Sequence, residues 1–203
     1  RVVIDGGANM GTWTQMAQRI FPQAEFHLIE PQPACASALQ SLVRQNPKLS
    51  FHPFALTEPG VTHVRMIGGG EKGGGTGAFV AKDNEQANGF GEIDVQATTF
   101  DQLLASRVAR EDHALLKLDL EGHEIPALMG APKLLQSVEV ILTELQFFQI
   151  NNNGRAVFAD YLNFLRERGF ELYDFACLSQ RPRDMRLRMG DVVFVRRGIE
   201  YND

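Results

Sequence analysis

The segment that most restricts the fold lies at the start of the chain, where Arg-Val-Val-Ile is followed at once by Asp-Gly-Gly-Ala-Asn-Met-Gly at residues 5–11. A short β-branched run predicts a strand. The small residues after it predict a tight turn, because glycine adopts backbone conformations closed to other residues. Asn9 belongs to the few residues that tolerate a left-handed backbone. We expect a strand that leads into a loop around a nucleoside-type cofactor.

The spacing of the small residues in this turn favours S-adenosylmethionine over a dinucleotide. A dinucleotide-binding turn needs G-x-G-x-x-G at the start of a helix. Counted from Gly7, its second and third glycine positions hold Asn9 and Thr12. Counted from Gly6, the second position holds Ala8. That glycine lets the backbone approach the pyrophosphate, so the alanine methyl group is a poor substitute. The remaining alternative is a turn whose glycines serve packing alone.

A second strand with an acidic end supports the cofactor interpretation. Residues 25–30, Glu-Phe-His-Leu-Ile-Glu, predict this strand. An acid at the end of the second strand of a βαβ unit can accept hydrogen bonds from ribose hydroxyls. Glu30 is therefore a candidate ribose ligand, and the alternative is an ordinary solvated strand end.

The first part of the chain alternates strands and helices. Residues 49–55 predict a third strand, which Pro53 weakens. The β-α-β-α-β order predicts an α/β domain with a parallel sheet and right-handed crossovers. Two stripes of residues at helical spacing predict the helices: Trp13, Met16, Ala17, Ile20 and Cys35, Ala38, Leu39, Leu42, Val43.

Residues 56–98 interrupt this alternation. They contain predicted strands at 61–67 and 93–98 and a glycine tract at 68–77 that lacks the G-x-x-x-x-G-K-[ST] pattern of a phosphate-binding loop. The tract is either a mobile lid over the site or a plain connector. With no repeat and no linker, residues 1–203 predict one domain with 56–98 as an insertion. Further strands are predicted at 114–119, 138–145, 170–175 and 192–196, and helices near 99–104 and 158–165.

Composition narrows the function classes. The chain has 203 residues, 44% of them hydrophobic, which suits a single sizeable core. The net charge of -5 argues against a general nucleic-acid surface. No apolar run approaches ~18 residues, so no membrane span is expected. Cys35 and Cys177 lie far apart, which predicts reduced, buried thiols in an intracellular, cytoplasmic protein. Whether a leader or helix precedes residue 1 stays open.

Acidic side chains and a histidine follow the predicted strand at 114–119. In an open α/β sheet, ligands lie beyond the carboxyl ends of the strands, where the strand order reverses. If the first strand and this strand flank the reversal, the turn at 5–11 and these side chains face one crevice. The potential proton acceptors there are Asp119, Glu121, His123 and Glu124.

Several segments together resemble the FkbM family of S-adenosylmethionine-dependent methyltransferases. They occur in the family's order and cover roughly residues 2–145. His123 departs from the pattern, because such proteins often carry a small residue there. The matching segments are Val3-Ile-Asp-Gly-Gly-Ala-Asn-Met-Gly11, Ile29-Glu-Pro-Gln-Pro33, Thr99-Phe-Asp-Gln-Leu103, Leu116-Lys-Leu-Asp-Leu-Glu-Gly-His-Glu124 and Leu142-Thr-Glu144.

The resemblance implies a fold and an activity. The fold is the α/β class I methyltransferase fold, a Rossmann-like doubly wound sheet of about seven strands, mostly parallel with an antiparallel last strand. The activity is O-methylation of a sugar, a glycoside or a polyketide-type natural product, with S-adenosylmethionine as methyl donor. The alternatives are an N-methyltransferase, a dehydrogenase and a non-catalytic S-adenosylmethionine-binding module.

The candidate catalytic residues are Asp119, Glu121 and His123. The sulfonium charge disappears as the methyl group leaves, so a carboxylate against the sulfur would stabilise the ground state more than the transition state. The acids are therefore expected to act on the acceptor, and Asp119 can instead hold the amino group of the donor. The ordinary pKa of histidine suits a base. The alternatives are a loop histidine that bonds a backbone carbonyl and solvated acids at a helix start.

The expected donor-binding residues come from the turn, from the ends of the second and third strands, and from Asp119. Glu144 lies near the end of an apolar strand, where an acid is costly. It is expected near the site or in a structural hydrogen bond. The donor-binding residues are Asp5, Gly6, Gly7, Ala8, Asn9, Gly11, Glu30, Pro31, Ala55 and Asp119.

The expected partner is a small-molecule or glycan acceptor, with no nucleic acid and the oligomeric state left open. Residues 146–154 mix amides and aromatic rings, which suits a polyhydroxylated acceptor or an ordinary Asn/Gly turn. No metal is predicted, although the acids with His123 can bind Mg²⁺ or Mn²⁺. Four arginines either hold an anionic group of the acceptor or form a solvated hairpin: Arg181, Arg183, Arg186 and Arg188.

Overall fold

A computed structural model describes residues 1–68, 77–82, 85–150 and 154–199. The strands are β1 (Val2–Gly6), β2 (Glu25–Ile29), β3 (Leu49–His52), β4 (Ala55–Leu56), β5 (His63–Ile67), β6 (Phe79–Val80), β7 (Glu92–Thr98), β8 (Ala114–Leu118), β9 (Val138–Gln146), β10 (Phe170–Gln180) and β11 (Leu187–Arg196). The helices are α1 (Thr12–Ile20), α2 (Pro33–Gln45), α3 (Phe100–Leu104), α4 (Glu124–Met129) and α5 (Phe158–Glu167).

The main sheet has seven strands in the order β10-β11-β9-β8-β1-β2-β3. Strands β3, β2, β1, β8 and β9 are parallel, and β11 is antiparallel to both of its neighbours. The chain runs outward from β1 in both directions, so the strand order reverses between β1 and β8. The expected sheet and the expected reversal are both confirmed.

Apolar cores lie on both faces of this sheet, which explains the continuous hydrophobic run of β1. Side chains alternate along a strand. Val2 and Ile4 accordingly pack into the larger core with α4 and α5, while Val3 packs into the other core with α2. The ends of β1 and β8 are thereby held rigidly side by side.

The third predicted strand is divided in the structure. The main sheet takes only Leu49–His52, and Ala55–Leu56 pairs with β7 in a second sheet of order β4-β7-β5-β6. Pro53 lies between them and cannot donate to a strand ladder. The single strand predicted at 49–55 was therefore wrong. The prediction of a lid falls on residues 69–76, which lie outside the described residues.

Helix α1 forms as predicted, but its buried face differs from the predicted stripe. The side chains of Thr14 and Ala17 are buried, whereas Met16 is 52% exposed and Ile20 is 65% exposed. The Thr14 hydroxyl donates to the buried Asp5 carboxylate at 2.6 Å. This polar anchor sets the rotation of the helix in place of the apolar stripe.

The last two strands are longer than predicted. The arginine-rich segment between them is therefore only a short turn that joins β10 to β11. Strand β10 is the outermost strand of the main sheet, and the Cys177 thiol on it is exposed. The expectation of two buried cysteines therefore holds for Cys35 and is wrong for Cys177. Helix α3 begins at Phe100, and Thr99 caps its N-terminus, where Thr99 and Gln102 form a reciprocal capping box. Across the described ranges, no helix has the length and apolar character needed to cross a bilayer.

Candidate active site

The turn after β1 is docked against both neighbouring strands. The amides of Gly7 and Ala8 donate to the Ile29 carbonyl at 3.0 and 3.1 Å. Gly7 has a φ of 78°, and a Cβ there would lie 2.0 Å from the carbonyl oxygen of Asp119. Only glycine allows this approach, which brings the turn against the residue that follows β8.

Glu30 follows β2 and faces the same turn. Its carboxylate accepts hydrogen bonds from the Asn9 amide at 2.9 Å and the Gln32 amide at 3.0 Å. Burial raises the pKa of Glu30, and these hydrogen bonds oppose that shift. Each carboxylate oxygen has two lone pairs, so both can still accept from ribose hydroxyls.

A cleft opens above Gly7 and Glu30. About 480 Å³ of space, open solvent at its mouth included, lies between its walls. Among the predicted donor-binding residues, Gly7, Glu30, Pro31, Ala55 and Asp119 line it. Its other walls come from residues for which no donor contact was predicted: Gln32, Phe54, Leu56, Met66, Ala78, Val80, Leu120 and His123.

The polar groups of the cleft suit the nucleoside part of S-adenosylmethionine. Gln32 Oε1 is buried and accepts no hydrogen bond from the described residues. A buried acceptor without a partner is costly unless a ligand supplies a donor, and an adenine amino group is such a donor. Glu30 offers acceptors for ribose, and the apolar walls offer surface for a flat ring. The residues present therefore fit the donor.

The remaining predicted donor-binding residues do not line the cleft. Asp5 has no exposed surface and forms an ion pair with Lys117 Nζ at 3.0 Å. Gly11 has a φ of 81°, and a Cβ there would lie 2.4 Å from Leu42 Cδ1. Its glycine thus makes room for α2 and does not line the cleft. The predicted donor-binding residues outside the cleft wall are Asp5, Gly6, Ala8, Asn9 and Gly11.

Lys117 is a site residue for which the sequence suggested no role. Its ammonium donates to the Gly7 carbonyl at 2.9 Å and lies 3.7 Å from Asp119 Oδ2. The side chain is 8% exposed. A lysine inside a buried strand requires partners, and the acids at the ends of β1 and β8 supply them. That requirement was a usable signal in the sequence.

Three acids converge where β8 and β9 end. Leu118 pairs with Thr143 in the sheet, which brings the next residues, Asp119 and Glu144, level with each other. Carboxylate oxygens of Asp119, Glu121 and Glu144 all lie within 4.8 Å of one another. We call these residues the acid cluster. Such a group is close enough for a divalent cation, but exposed acids are common without one, and we assign no metal.

The acid cluster holds protons unusually strongly. Burial raises the pKa of Glu144 to about 7, and repulsion from Asp119 and Glu121 adds to the effect. Burial also raises the pKa of Glu121, again assisted by the charge of Asp119. Near neutral pH the cluster therefore exchanges a proton easily, as a site of proton transfer requires.

Glu124 holds the loop together and does not face the crevice. Its carboxylate is fully buried and accepts from the amides of Leu120 and Gly122 at 2.8 and 3.1 Å. The Tyr161 hydroxyl donates to it at 2.5 Å. The prediction that Glu124 faces the crevice was therefore wrong, because its side chain is 1% exposed and is not part of the cleft wall.

His123 is the residue immediately before α4. It lines the cleft above Gly7 and Glu30, which we call the donor cleft. Its Nε2 lies 3.1 Å from the Thr57 hydroxyl oxygen, so its partner is a side chain and not a backbone carbonyl. Burial lowers the pKa of His123 to about 4; the Glu58 carboxylate opposes this shift and the Arg155 guanidinium adds to it. The imidazole is therefore neutral at physiological pH and binds a proton weakly.

Arg155 connects the loop after β8, which carries Asp119 and Glu121, to the second sheet, which we call the inserted sheet. Its guanidinium donates to the Glu121 carbonyl at 2.6 Å, lies 3.5 Å from the Glu85 carboxylate and stacks 4.6 Å from the Phe79 ring centroid. The side chain also occupies the space beside Gly122, where a Cβ would meet it at 2.5 Å. The sequence gave no indication of this role, since Arg155 follows an Asn/Gly-rich turn.

The segment predicted for acceptor recognition is partly engaged in packing. Gln146 Nε2 donates to the carbonyls of Arg155 and Ala156, both at 3.2 Å. The Phe147 ring packs against Phe158 and Phe175 at 5.5 and 6.2 Å. These contacts leave the predicted acceptor role without support at Gln146 and Phe147. Residues 151–153 lie outside the described part of the chain.

The arginines at the β10–β11 turn lie on the surface. Arg181 forms an ion pair with Asp184, and the guanidinium groups of Arg181 and Arg186 stack over the Phe148 ring at 5.3 and 4.1 Å. The Arg183 and Arg188 side chains are exposed. This arrangement agrees with the solvated-hairpin alternative.

A mostly parallel sheet with an antiparallel late strand, and a cleft at its strand reversal, are features of the class I methyltransferase fold. Within that class, residues 5–172 match the model of the methyltransferase FkbM domain. The chain belongs to this family, and S-adenosylmethionine is its methyl donor. No curated protein matches the chain.

Solved structures resemble the chain at the level of the fold. Fibrillarin from Aeropyrum pernix, with bound S-adenosyl-L-methionine, aligns with a TM-score of 0.50 at 13% identity, covering 96% of this chain and 66% of that chain. Magnesium protoporphyrin IX methyltransferase from Synechocystis PCC 6803 aligns with a TM-score of 0.49 at 12% identity, covering 96% and 69%. The chain thus spans about two thirds of the length of these proteins.

Proposed function

We propose that this methyltransferase transfers the methyl group to a hydroxyl oxygen of a small-molecule or glycan acceptor, a sugar, glycoside or polyketide-type compound. The observation that supports the proposal is the acid cluster beside the donor cleft. A hydroxyl must lose its proton during methyl transfer, and the cluster provides proton acceptors. A hydroxyl group holds its proton more strongly than an ammonium group does, so it depends more on such acceptors.

Binding and orientation are the main contributions of the chain. Glu30 would accept hydrogen bonds from ribose, and Gln32 Oε1 from the adenine amino group. Asp119, at the junction of the donor cleft and the acid cluster, would hold either the amino group of the donor or the acceptor hydroxyl. S-adenosylmethionine supplies an activated methyl group. Fixing both reactants can contribute roughly 7–11 kcal/mol, more than a base does.

We further propose that residues 1–203 form one methyltransferase domain in which the insertion at 56–98 builds part of the donor cleft. Met66 and Val80 of the inserted sheet line the cleft together with Gly7 and Asp119, which follow strands β1 and β8 of the main sheet. Of the candidate catalytic residues, Asp119 and Glu121 belong to the acid cluster. For His123 we propose contact with the donor through the cleft wall.

A methyl-transfer screen tests this function. The chain is incubated with S-adenosylmethionine labelled in the methyl group and with glycosides and polyketide-type alcohols, each matched by its deoxy and amino analogues. We expect label on hydroxyl compounds and none on the deoxy analogues. Transfer to the amino analogues alone would overturn the proposal.

Two substitutions and a control locate the reaction in the acid cluster. Asp119→Asn and Glu121→Gln should each lower turnover at least tenfold while the melting temperature stays within the range of the wild type. Glu171→Gln changes an exposed acid on β10 and should leave turnover unchanged. Unchanged turnover in both cluster variants would show that the acceptor reacts elsewhere.

A further inference from the structure

Glu144 is the member of the acid cluster that the fold holds most rigidly. It lies within β9, and its neighbours Thr143 and Leu145 are buried, at 0% and 3% exposure, on the opposite face of the sheet. Thr143 pairs with Leu118 of β8, and Glu144 itself pairs with Asp191 of β11. Glu144 is thus fixed by strands on both sides, whereas Asp119 and Glu121 lie on a loop.

The groups around Glu144 are acids. Asp119 and Glu121 face it from the loop after β8, Asp191 from β11, and Glu124 from the start of α4. In the described part of the chain, no cation forms an ion pair with Glu144. An additional negative charge on Glu144 is therefore unfavourable, and a proton there is favoured near neutral pH.

The cations close to the cluster act on its other members. The Lys117 ammonium pairs with Asp5 and lies 3.7 Å from Asp119. The Arg155 guanidinium lies beside Glu121 and favours its charged form. Glu144 is the member of the cluster that has no such cation beside it, and burial together with the neighbouring acids raises its pKa to about 7.

Other groups near the crevice are less suited to accept a proton. The carboxylate of Glu124 is buried and accepts from Leu120, Gly122 and Tyr161. The His123 imidazole is bonded to the Thr57 hydroxyl and, with a pKa of about 4, takes up a proton only in acid.

We infer that Glu144 is the general base that takes the proton of the acceptor hydroxyl, an assignment that rests on the proposed function. The acceptor oxygen forms a bond to the methyl carbon, and the carbon–sulfur bond breaks with its electron pair left on sulfur. The hydroxyl proton passes to the Glu144 carboxylate and then to water. Asp119 and Glu121 keep the charge of Glu144 unfavourable, which makes it a stronger base.

The pH dependence of methyl transfer tests this assignment, with the best hydroxyl compound from the screen as acceptor. In the wild type, turnover should rise with pH through about 7, because Glu144 accepts a proton only when ionised. Glu144→Gln should lower turnover about 10²–10⁴-fold, the typical contribution of a general base, and should remove this rise. Donor affinity should change less than twofold, and Glu171→Gln should behave as the wild type.

Carbon NMR tests the protonation of Glu144 without any acceptor. The chain is labelled with glutamate that carries ¹³C at the side-chain carboxyl carbon. The Glu144 resonance is identified as the one missing from the spectrum of Glu144→Gln, and it should titrate near pH 7. In Asp119→Asn it should titrate at lower pH, because a repelling charge is removed. If the screen fails while this titration is intact, the hydroxyl acceptor of the proposed function is refuted, and only the raised pKa of Glu144 stands.

Other outcomes would overturn the assignment itself. One is a Glu144 resonance that titrates near the ordinary pKa of glutamate. Another is a Glu144→Gln chain that keeps its turnover and its rise with pH. A third is loss of activity with a chelator and recovery with Mg²⁺, which would make the acid cluster a cation site.

Discussion

Replacing Glu144 by glutamine is expected to stabilise the folded chain increasingly as the pH rises. The folded state holds the Glu144 proton up to a pKa of about 7, while the unfolded chain releases it near the ordinary value of 4.5. Between these values the folded state binds more protons, so the stability of the wild type falls as pH rises. Glutamine carries no such proton and escapes this loss.

The magnitude follows from the two pKa values. Their difference corresponds to at most about 3.4 kcal/mol, and because Glu144 is partly exposed we reduce this to about 1–2 kcal/mol. Urea unfolding without donor, at pH 5 and at pH 8, measures the gap between Glu144→Gln and the wild type. The gap should widen by about 1–2 kcal/mol toward pH 8, whereas Glu171→Gln should show no pH-dependent gap. A gap that is constant or narrows would refute the assigned environment of Glu144.

Three further substitutions test other parts of the site. Glu30→Gln should weaken donor affinity in calorimetry roughly 10–100-fold, because a charged acceptor of ribose hydroxyls is lost. The control Glu25→Gln, at the start of β2, should keep the affinity of the wild type. Equal affinities in the two variants would remove Glu30 from the donor site. Gly7→Ala should cost about 3 kcal/mol or more in urea unfolding, because its Cβ meets the neighbouring loop. Gly60→Ala, at a similar φ in open space, should cost only about 1–2 kcal/mol, and equal costs would contradict the predicted clash. His123→Gln should leave the pH dependence of turnover between pH 6 and 8 unchanged, since the imidazole is already neutral there; a lost or shifted rise would restore His123 as the base.

Local sequence was sufficient to predict a strand and the turn after it where the residue types of that segment alone determine the backbone conformation. The β-branched start of β1 and the glycines after it predicted both the strand and the turn. Glu30 was placed correctly because a strand end fixes which side chain follows it. Pro53 carried the same kind of local information, because proline weakens a strand, and the chain divides into β3 and β4 on either side of it.

Contacts between distant segments could not be predicted in this way. Glu124 is buried because Tyr161, far along the chain, donates to it. The exposure of Met16 follows from the anchor between Thr14 and Asp5, and an apolar stripe does not reveal such an anchor. Arg155 likewise acts on Glu121 through the folded arrangement alone. The loop of acids was therefore predictable, and the division of roles within it was not.

The chemical identity of the methylated atom tests the proposed reaction most directly. The chain is given S-adenosylmethionine that carries a ¹³C-methyl group, together with an unlabelled hydroxyl compound that accepted label in the screen. The product is examined by carbon NMR. We predict a methyl resonance in the methyl-ether region, absent with Glu144→Gln and present with Glu171→Gln. A resonance from a methyl group on nitrogen or carbon, or no transfer although the donor binds, would contradict the proposal.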